Sequence, residues 1–327
     1  MTTPNHPPRR ALVLGCGGVA GGAWSIAALH HLEQQLDWDA RNAEILVGTS
    51  VGAVLAALLG SGVSVDQLLA CQQGDNAQCQ WDHDSDSGGA LPPLPAASLT
   101  GASLALKGLR GDVSVLTAVC GLMPRGQFDM APFRRLIDNA TDGADWVKHP
   151  ATWIMAVDTA TGKRVAFGKG GAPGATISDA VCASYGVPCW CPPVNIGNHT
   201  YIDGGVASPS SADLLVDSAV DEVILLAPMA SRQPDRPRSP LKQIERRVRR
   251  YMTSVVDREE AILTKAGKRV IRIEPNAQDL AAFGYNMMDP KRRQRVLATA
   301  LQTTPHTVQA AVAQAEMATA PEALNAG

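Results

Sequence analysis

Apolar residues in this chain come in short runs punctuated by glycine and polar residues, the pattern of a protein that alternates buried strands with helices. Residues 11–14 (Ala-Leu-Val-Leu) read as a short buried strand and 15–22 as a glycine loop. Ile26, Leu29 and Leu32 then recur at helical spacing, which predicts a helix over 23–36. Residues 44–47 give a second short strand, followed at once by Gly48-Thr49-Ser50-Val51-Gly52 and an apolar helix to residue 59. Two strand–loop–helix units within sixty residues predict an α/β core with a parallel sheet.

Beyond this core the pattern changes. Residues 72–95 are rich in Asp, Ser, Gly and Pro, which suits a mobile surface insertion better than packed structure. Helical spacing resumes over 132–140. Residues 152–158 and 163–167 then read as a hairpin, 177–184 as a helix, and Tyr201-Ile202 as a strand leading into Asp203-Gly204-Gly205. Strands are expected at 223–227 and 270–273, with a long helix over about 240–266 between them and a closing helix over about 290–316. No internal repeat is visible.

Composition adds limits. The chain is 45% hydrophobic and 18% charged with net charge -2, which argues against global disorder and against a basic nucleic-acid binder. Seven cysteines lack the paired spacing of a zinc site and point to a reduced, cytoplasmic setting; no metal and no cofactor is expected. Arg9 and Arg10 before the apolar run 11–29 superficially resemble a secretory signal, but five glycines in that run favour strand, loop and helix start. The run 51–59 is too short to span a bilayer, so no transmembrane segment is expected. Asp82, Asp84 and Asp86 with Gly88 read as a solvated acidic loop, because Pro93 stands where a calcium loop needs its Glu.

The chemistry concentrates at three places. The first is G-x-S-x-G at 48–52, set between a strand and a helix. There Gly48 and Gly52 permit the sharp turn that lifts a nucleophilic Ser50 out of the sheet. The second is the loop 15–22, whose backbone N–H groups can hold a phosphate or the oxyanion of an acyl-transfer intermediate. Gly15, Gly17 and Ala20 also satisfy G-x-G-x-x-G/A, with Asp37 or Asp39 near the spacing of a ribose-binding acid, so an NAD(P)-binding protein using Gly15–Gly22 is the rival reading. The third is Asp203-Gly204-Gly205, a carboxylate at a strand end beside a tight turn, able to serve Ser50 as base. His199 and His306 leave a Ser-Asp-His triad open as an alternative.

These motifs, in this order, resemble the patatin-like phospholipases and related bacterial acyl hydrolases, a likeness that includes a Ser-x-Ala-x-Pro-like region within 177–193. The resemblance implies a three-layer α/β/α sandwich with a mostly parallel central sheet. It implies Ser50 as nucleophile and Asp203 as base, with the amides of Gly17, Gly18 and Val19 as oxyanion hole and Gly204 shaping the turn. It also implies a lipid or acyl-ester substrate cleaved through an acyl-enzyme; a lipid- or acyl-binding protein without turnover is the alternative outside enzymes. The family's G-G-G-x-R/K-G loop departs here, with Cys16 in a glycine's place and Ala20 in the cation's. Cys16 reads as a packed side chain.

The expected domain plan is a disordered tail 1–10 and a catalytic domain 11–230 with an insertion at about 72–130. Helices and a strand over 231–318 pack on it, followed by a disordered tail 319–327. Along 240–251, Leu241, Ile244, Val248 and Met252 share one helical face and Lys242, Arg246 and Arg249 another. That is the pattern of a helix packed on the core or lying peripherally on an anionic membrane, while the oligomeric state is left open.

Overall fold

The computed structural model describes residues 7–75, 81, 86, 89, 91–96, 101–233 and 235–319. Half of the proposed mobile loop, the acidic positions Asp82 and Asp84, and the tail residues 1–6 and 320–327 lie outside the described residues.

The chain opens with strand β1 (Arg10–Leu14), helix α1 (Gly18–Leu36), strand β2 (Ile45–Thr49) and helices α2 (Val51–Gly60) and α3 (Val65–Gln73). A pair of short helices, α4 (Ala102–Leu109) and α5 (Val115–Leu122), precedes α6 (Ala131–Ala140), β3 (Thr152–Asp158), β4 (Arg164–Phe167) and α7 (Ile177–Ser184). Strands β5 (Val194–Ile196), β6 (His199–Asp203) and β7 (Glu222–Leu226) follow. The chain then runs through α8 (Pro240–Lys265), β8 (Arg269–Ile273), α9 (Ala277–Phe283) and α10 (Arg293–Thr319).

The strands form one mixed sheet in the order β5-β6-β3-β2-β1-β7-β8, with β4 added on β3. From β3 to β8 the neighbours run parallel, while β3 meets β4 and β6 antiparallel. The centre, β1, is buried from Ala11 to Leu14, which is why its side chains are apolar without alternation. One large core lies between the sheet and α1, α2, α7 and α10; a second, on the opposite face, includes Val13, Val47, Met155, Leu225, Val256 and Leu263. Helices thus cover both faces of a mixed sheet, the α/β/α arrangement expected from the motifs.

Four expectations need correction. Arg10 belongs to β1, and Arg9 is tied to Asp221 through its backbone N–H at 2.9 Å, so the tail does not reach residue 10. Helix α1 begins at Gly18, so the loop is only Gly15 to Gly17: small residues pack there against Pro228 and Met287 instead of forming an open turn. Gln72 is part of α3 and buried. On α8 the basic face is largely inside: Arg246 and Arg249 are 5% and 2% exposed, whereas of the apolar face Met252 is buried but Leu241 and Ile244 are 55% and 56% exposed. Partners explain the inversion. Arg249 donates to Pro228 O at 2.6 Å and pairs with Glu245 at 2.9 Å, while Arg246 pairs with Asp235 and Glu245. Hydrophobic periodicity cannot distinguish a satisfied buried arginine from a solvated one.

Candidate active site

The sheet register brings the site together. Thr49, the last residue of β2, pairs with Met155 of β3, and Asp203, the last of β6, pairs with the next residue, Ala156. Strand β3 therefore splints the two strand ends, and Gly204 packs against the Thr49 methyl group.

Ser50 follows Thr49 with φ 58° and ψ -122°, a positive-φ conformation that costs a non-glycine residue on the order of 1–3 kcal/mol. The surroundings enforce it: a Cβ on Gly48 would lie 2.4 Å from Gly52 O, and one on Gly52 only 1.9 Å from Leu14 O. The Ser50 N–H also donates to Ser184 Oγ at 2.9 Å. Ser184 ends α7 and is wholly buried. Its significance was missed in the sequence, although Ser184-Tyr185-Gly186-Val187-Pro188 is the Ser-x-Ala-x-Pro-like pattern with glycine in alanine's place. Ser184→Ala would strand the buried Ser50 N–H. Turnover of a soluble ester is expected to fall about tenfold with little change in KM, measured by steady-state kinetics on folded protein.

Asp203 is 4% exposed. Burial raises its pKa from 3.8 to about 7, opposed by hydrogen bonds from the Ser50 hydroxyl and the Gly205 N–H, the latter 2.7 Å from Oδ1. A carboxylate poised near neutrality and touching a serine hydroxyl suits general-base chemistry. Cys16 lies against the same turn, since a Cβ on Gly205 would be 2.9 Å from its Sγ. Burial pushes the Cys16 thiol far up, so it stays protonated, a packed side chain.

Around the glycine loop, Gly15 N–H donates to Leu226 O, Cys16 N–H to Pro209 O and Ala20 N–H to Met287 O. The amides of Gly17, Gly18 and Val19 make no backbone or side-chain hydrogen bond among the described residues, and they sit at the positive end of α1. Arg249 stands behind this loop. Beside its bond to Pro228, its guanidinium contacts Met287 Sδ at 3.8 Å, and its charge draws down the Cys16 pKa. Ala20 leaves the loop itself without a cation, and the buried Arg249 of α8, paired with Glu245, is the charge that lies behind it.

The remaining candidates separate from this cluster. His199 Nδ1 is 2.6 Å from Asp158 Oδ2, and His306 is exposed on α10. Asp37 closes the far end of α1, and Asp39 caps the turn before β2 and binds Arg41. Both lie between α1 and the start of β2, at the opposite end of the parallel strands from the glycine loop, where neither could meet a ribose bound beside it. Among the described residues no cluster of His, Cys, Asp or Glu is placed to hold a metal ion, and no helix is long and apolar enough to cross a membrane.

A cavity of ≈ 230 Å³ opens next to Ser50. Val19 and Val51, neighbours of the glycine loop and the serine, form part of its wall. Val54, Leu55 and Leu58 continue it along α2, with Tyr185 also on its lining.

The family model for patatin-like phospholipases matches residues 12–216, more than half the chain, from within β1 to beyond the Asp203 turn. The chain belongs to the patatin-like phospholipase family. It is accordingly a hydrolase of the patatin type, in the broad class that acts on lipids. No curated protein matches the chain. Among solved structures it is similar to VipD from Legionella pneumophila, with 13% identity over 93% of this chain and 67% of that one and a TM-score of 0.45. It is also similar to the type III effector ExoU, with 15% identity over 93% of this chain and 53% of that one and a TM-score of 0.36. Ser50 and Asp203 both lie inside the matched stretch.

Proposed function

We propose that this protein is a serine acyl-ester hydrolase that cleaves lipid esters with a Ser50–Asp203 dyad. The observation that carries the reading is a strained serine beside the buried Asp203 carboxylate, with an apolar cavity walled by the next residue, Val51. Asp203 accepts the Ser50 proton as Oγ attacks the ester carbonyl. The amides of Gly17, Gly18 and Val19 hold the oxyanion, each well-placed donor contributing about 3 kcal/mol. Collapse breaks the bond to the alcohol, which leaves with the proton from Asp203. Water then attacks the acyl-Ser50, with Asp203 again as base, and releases the carboxylic acid.

The cavity supplies the acyl-chain site. Along α2 it runs from Val51 to Leu58, about 10 Å at the helical rise per residue, a depth that fits a medium-length acyl chain. A screen of soluble esters of increasing acyl length, with Ser50→Ala as control, tests the reading. Activity is expected to peak at medium length, and Leu58→Ala to move the peak to longer chains by opening the deep end. A profile that ignores chain length and Leu58 would place the acyl group elsewhere, and turnover surviving in Ser50→Ala would remove the proposed nucleophile.

A further inference from the structure

Helices α4 and α5 pack as a hairpin whose amphipathicity is inverted. On α5, Thr117 and Gly121 are buried, whereas Val115, Val119 and Leu122 are 79%, 46% and 69% exposed. Those three positions have i, i+4, i+7 spacing, the stripe that a helix in water normally turns inward. On α4, Leu104 is buried while Leu106 and Leu109 are 50% and 87% exposed. The helix–helix contact explains how this is possible. Gly101 meets the Gly121 backbone and Gly108 the Ala118 methyl group, so the helices approach closely at small residues and the large apolar side chains are left outside.

The inner face is fixed to the candidate active site. Thr117 Oγ1 donates to Val206 O at 2.9 Å, three residues past Asp203, and Ser103 Oγ donates to Thr159 O at 2.6 Å. Leu104 packs on Val157, Ile202 and Val206. The hairpin is therefore a ledge beside the Asp203 turn with a greasy outer surface. Within residues 101–125 the charged side chains are Lys107, Arg110 and Arg125 against Asp112 alone.

We propose that the α4–α5 hairpin is a docking surface for the face of an anionic phospholipid bilayer. Exposed apolar residues on helices flanked by cations are the chemistry of a peripheral lipid-binding element, with side chains entering the acyl region and cations meeting phosphate. A second copy of this chain fits less well, because a twofold contact would set the same cations against one another. The inference extends the ester-hydrolase reading, since docking would hold the Asp203 side of the site against substrate lipid. This surface is separate from the 240–251 segment of α8, in which Arg246 and Arg249 are buried.

The test uses the full chain with vesicles of phosphatidylglycerol and phosphatidylcholine, compared with phosphatidylcholine alone. The Ser50→Ala protein is expected to co-sediment with the anionic vesicles, and less so as salt rises. Leu109→Ser, Val115→Ser and Leu122→Ser combined are expected to lower the bound fraction at least about tenfold. In the active protein this triple variant should lower hydrolysis of vesicle lipid while leaving turnover of a soluble short-chain ester unchanged. Should the variant not fold, hydrogen exchange on the unaltered protein decides: vesicles should protect α4 and α5. Equal binding by the folded triple variant, absence of that protection, or a stable dimer that the triple variant dissociates would each overturn the proposal. Failure of the ester-hydrolase reading is separately visible, as absent turnover of the soluble ester in a protein that still binds vesicles.

Discussion

Replacing Asp203 by Asn is expected to cut turnover about a thousandfold and yet to stabilise the protein above neutral pH. The first effect follows because an amide cannot accept the Ser50 proton. The second follows from the same burial that makes the carboxylate a usable base. Its folded pKa of about 7 against 3.8 for the free group means that the folded state holds a proton which the unfolded state has already released between those values. Stability therefore falls as pH rises from about 4 to about 7, by roughly 4 kcal/mol for a shift of this size, and the loss is complete above about 7. Asn keeps an acceptor for the Gly205 N–H but carries no charge, so the variant should escape most of that loss. Melting temperatures of the two proteins should nearly coincide at about pH 4.5 and separate by about pH 8.5, the variant melting several degrees higher. Turnover of the unaltered enzyme on a soluble ester should rise with pH through about 7 as Asp203 ionises. Near-normal turnover in the Asp203→Asn protein, or a melting difference that does not depend on pH, would mean that the wrong group has been assigned as base.

Gly52→Ala is expected to destroy both the fold around the elbow and the activity. The added Cβ would sit 1.9 Å from Leu14 O and 2.5 Å from the Leu14 carbonyl carbon, against an ordinary contact of 3.4 Å or more. Neither atom can swing aside, because Leu14 is the last residue of the central strand and leads directly into the glycine loop. The cost is about 3 kcal/mol or more, and any relaxation would separate the Ser50 turn from the Gly17 and Gly18 amides. Gly170→Ala is the matched control, since a Cβ there meets nothing within 4 Å. Thermal melting and ester turnover should be unchanged in the control, whereas Gly52→Ala should accumulate poorly or melt far lower without activity.

The parts of this protein that were readable in advance are those where local sequence dictates local geometry. The elbow at Ser50 announces itself because only glycines at 48 and 52 allow the turn, and short apolar runs bounded by glycine marked the central strands. Ser184 was overlooked because its role is to receive a hydrogen bond from a residue 134 positions away, which no local pattern records. The face of α8 was inverted for a related reason: Arg246 and Arg249 count as polar in any periodicity, and only their ion pairs with Glu245 and Asp235 show why they are inside. Helices α4 and α5 did not appear in the reading, since short segments with their apolar stripes outward break the rule by which helices are found.

The position of β7 bears on how this enzyme could be dissected. The segment shared with the family ends at residue 216, but β1, in the middle of the sheet, takes one of its two partners from Glu222–Leu226. A fragment cut at the family boundary would turn this central strand into a bare edge, with four buried apolar residues and a full row of unpaired amides and carbonyls. It would also lose Leu226 and Pro228, which hold the glycine loop in place. The shared segment is therefore a unit of chemistry and not a unit of folding: excised, it should self-associate before it could act.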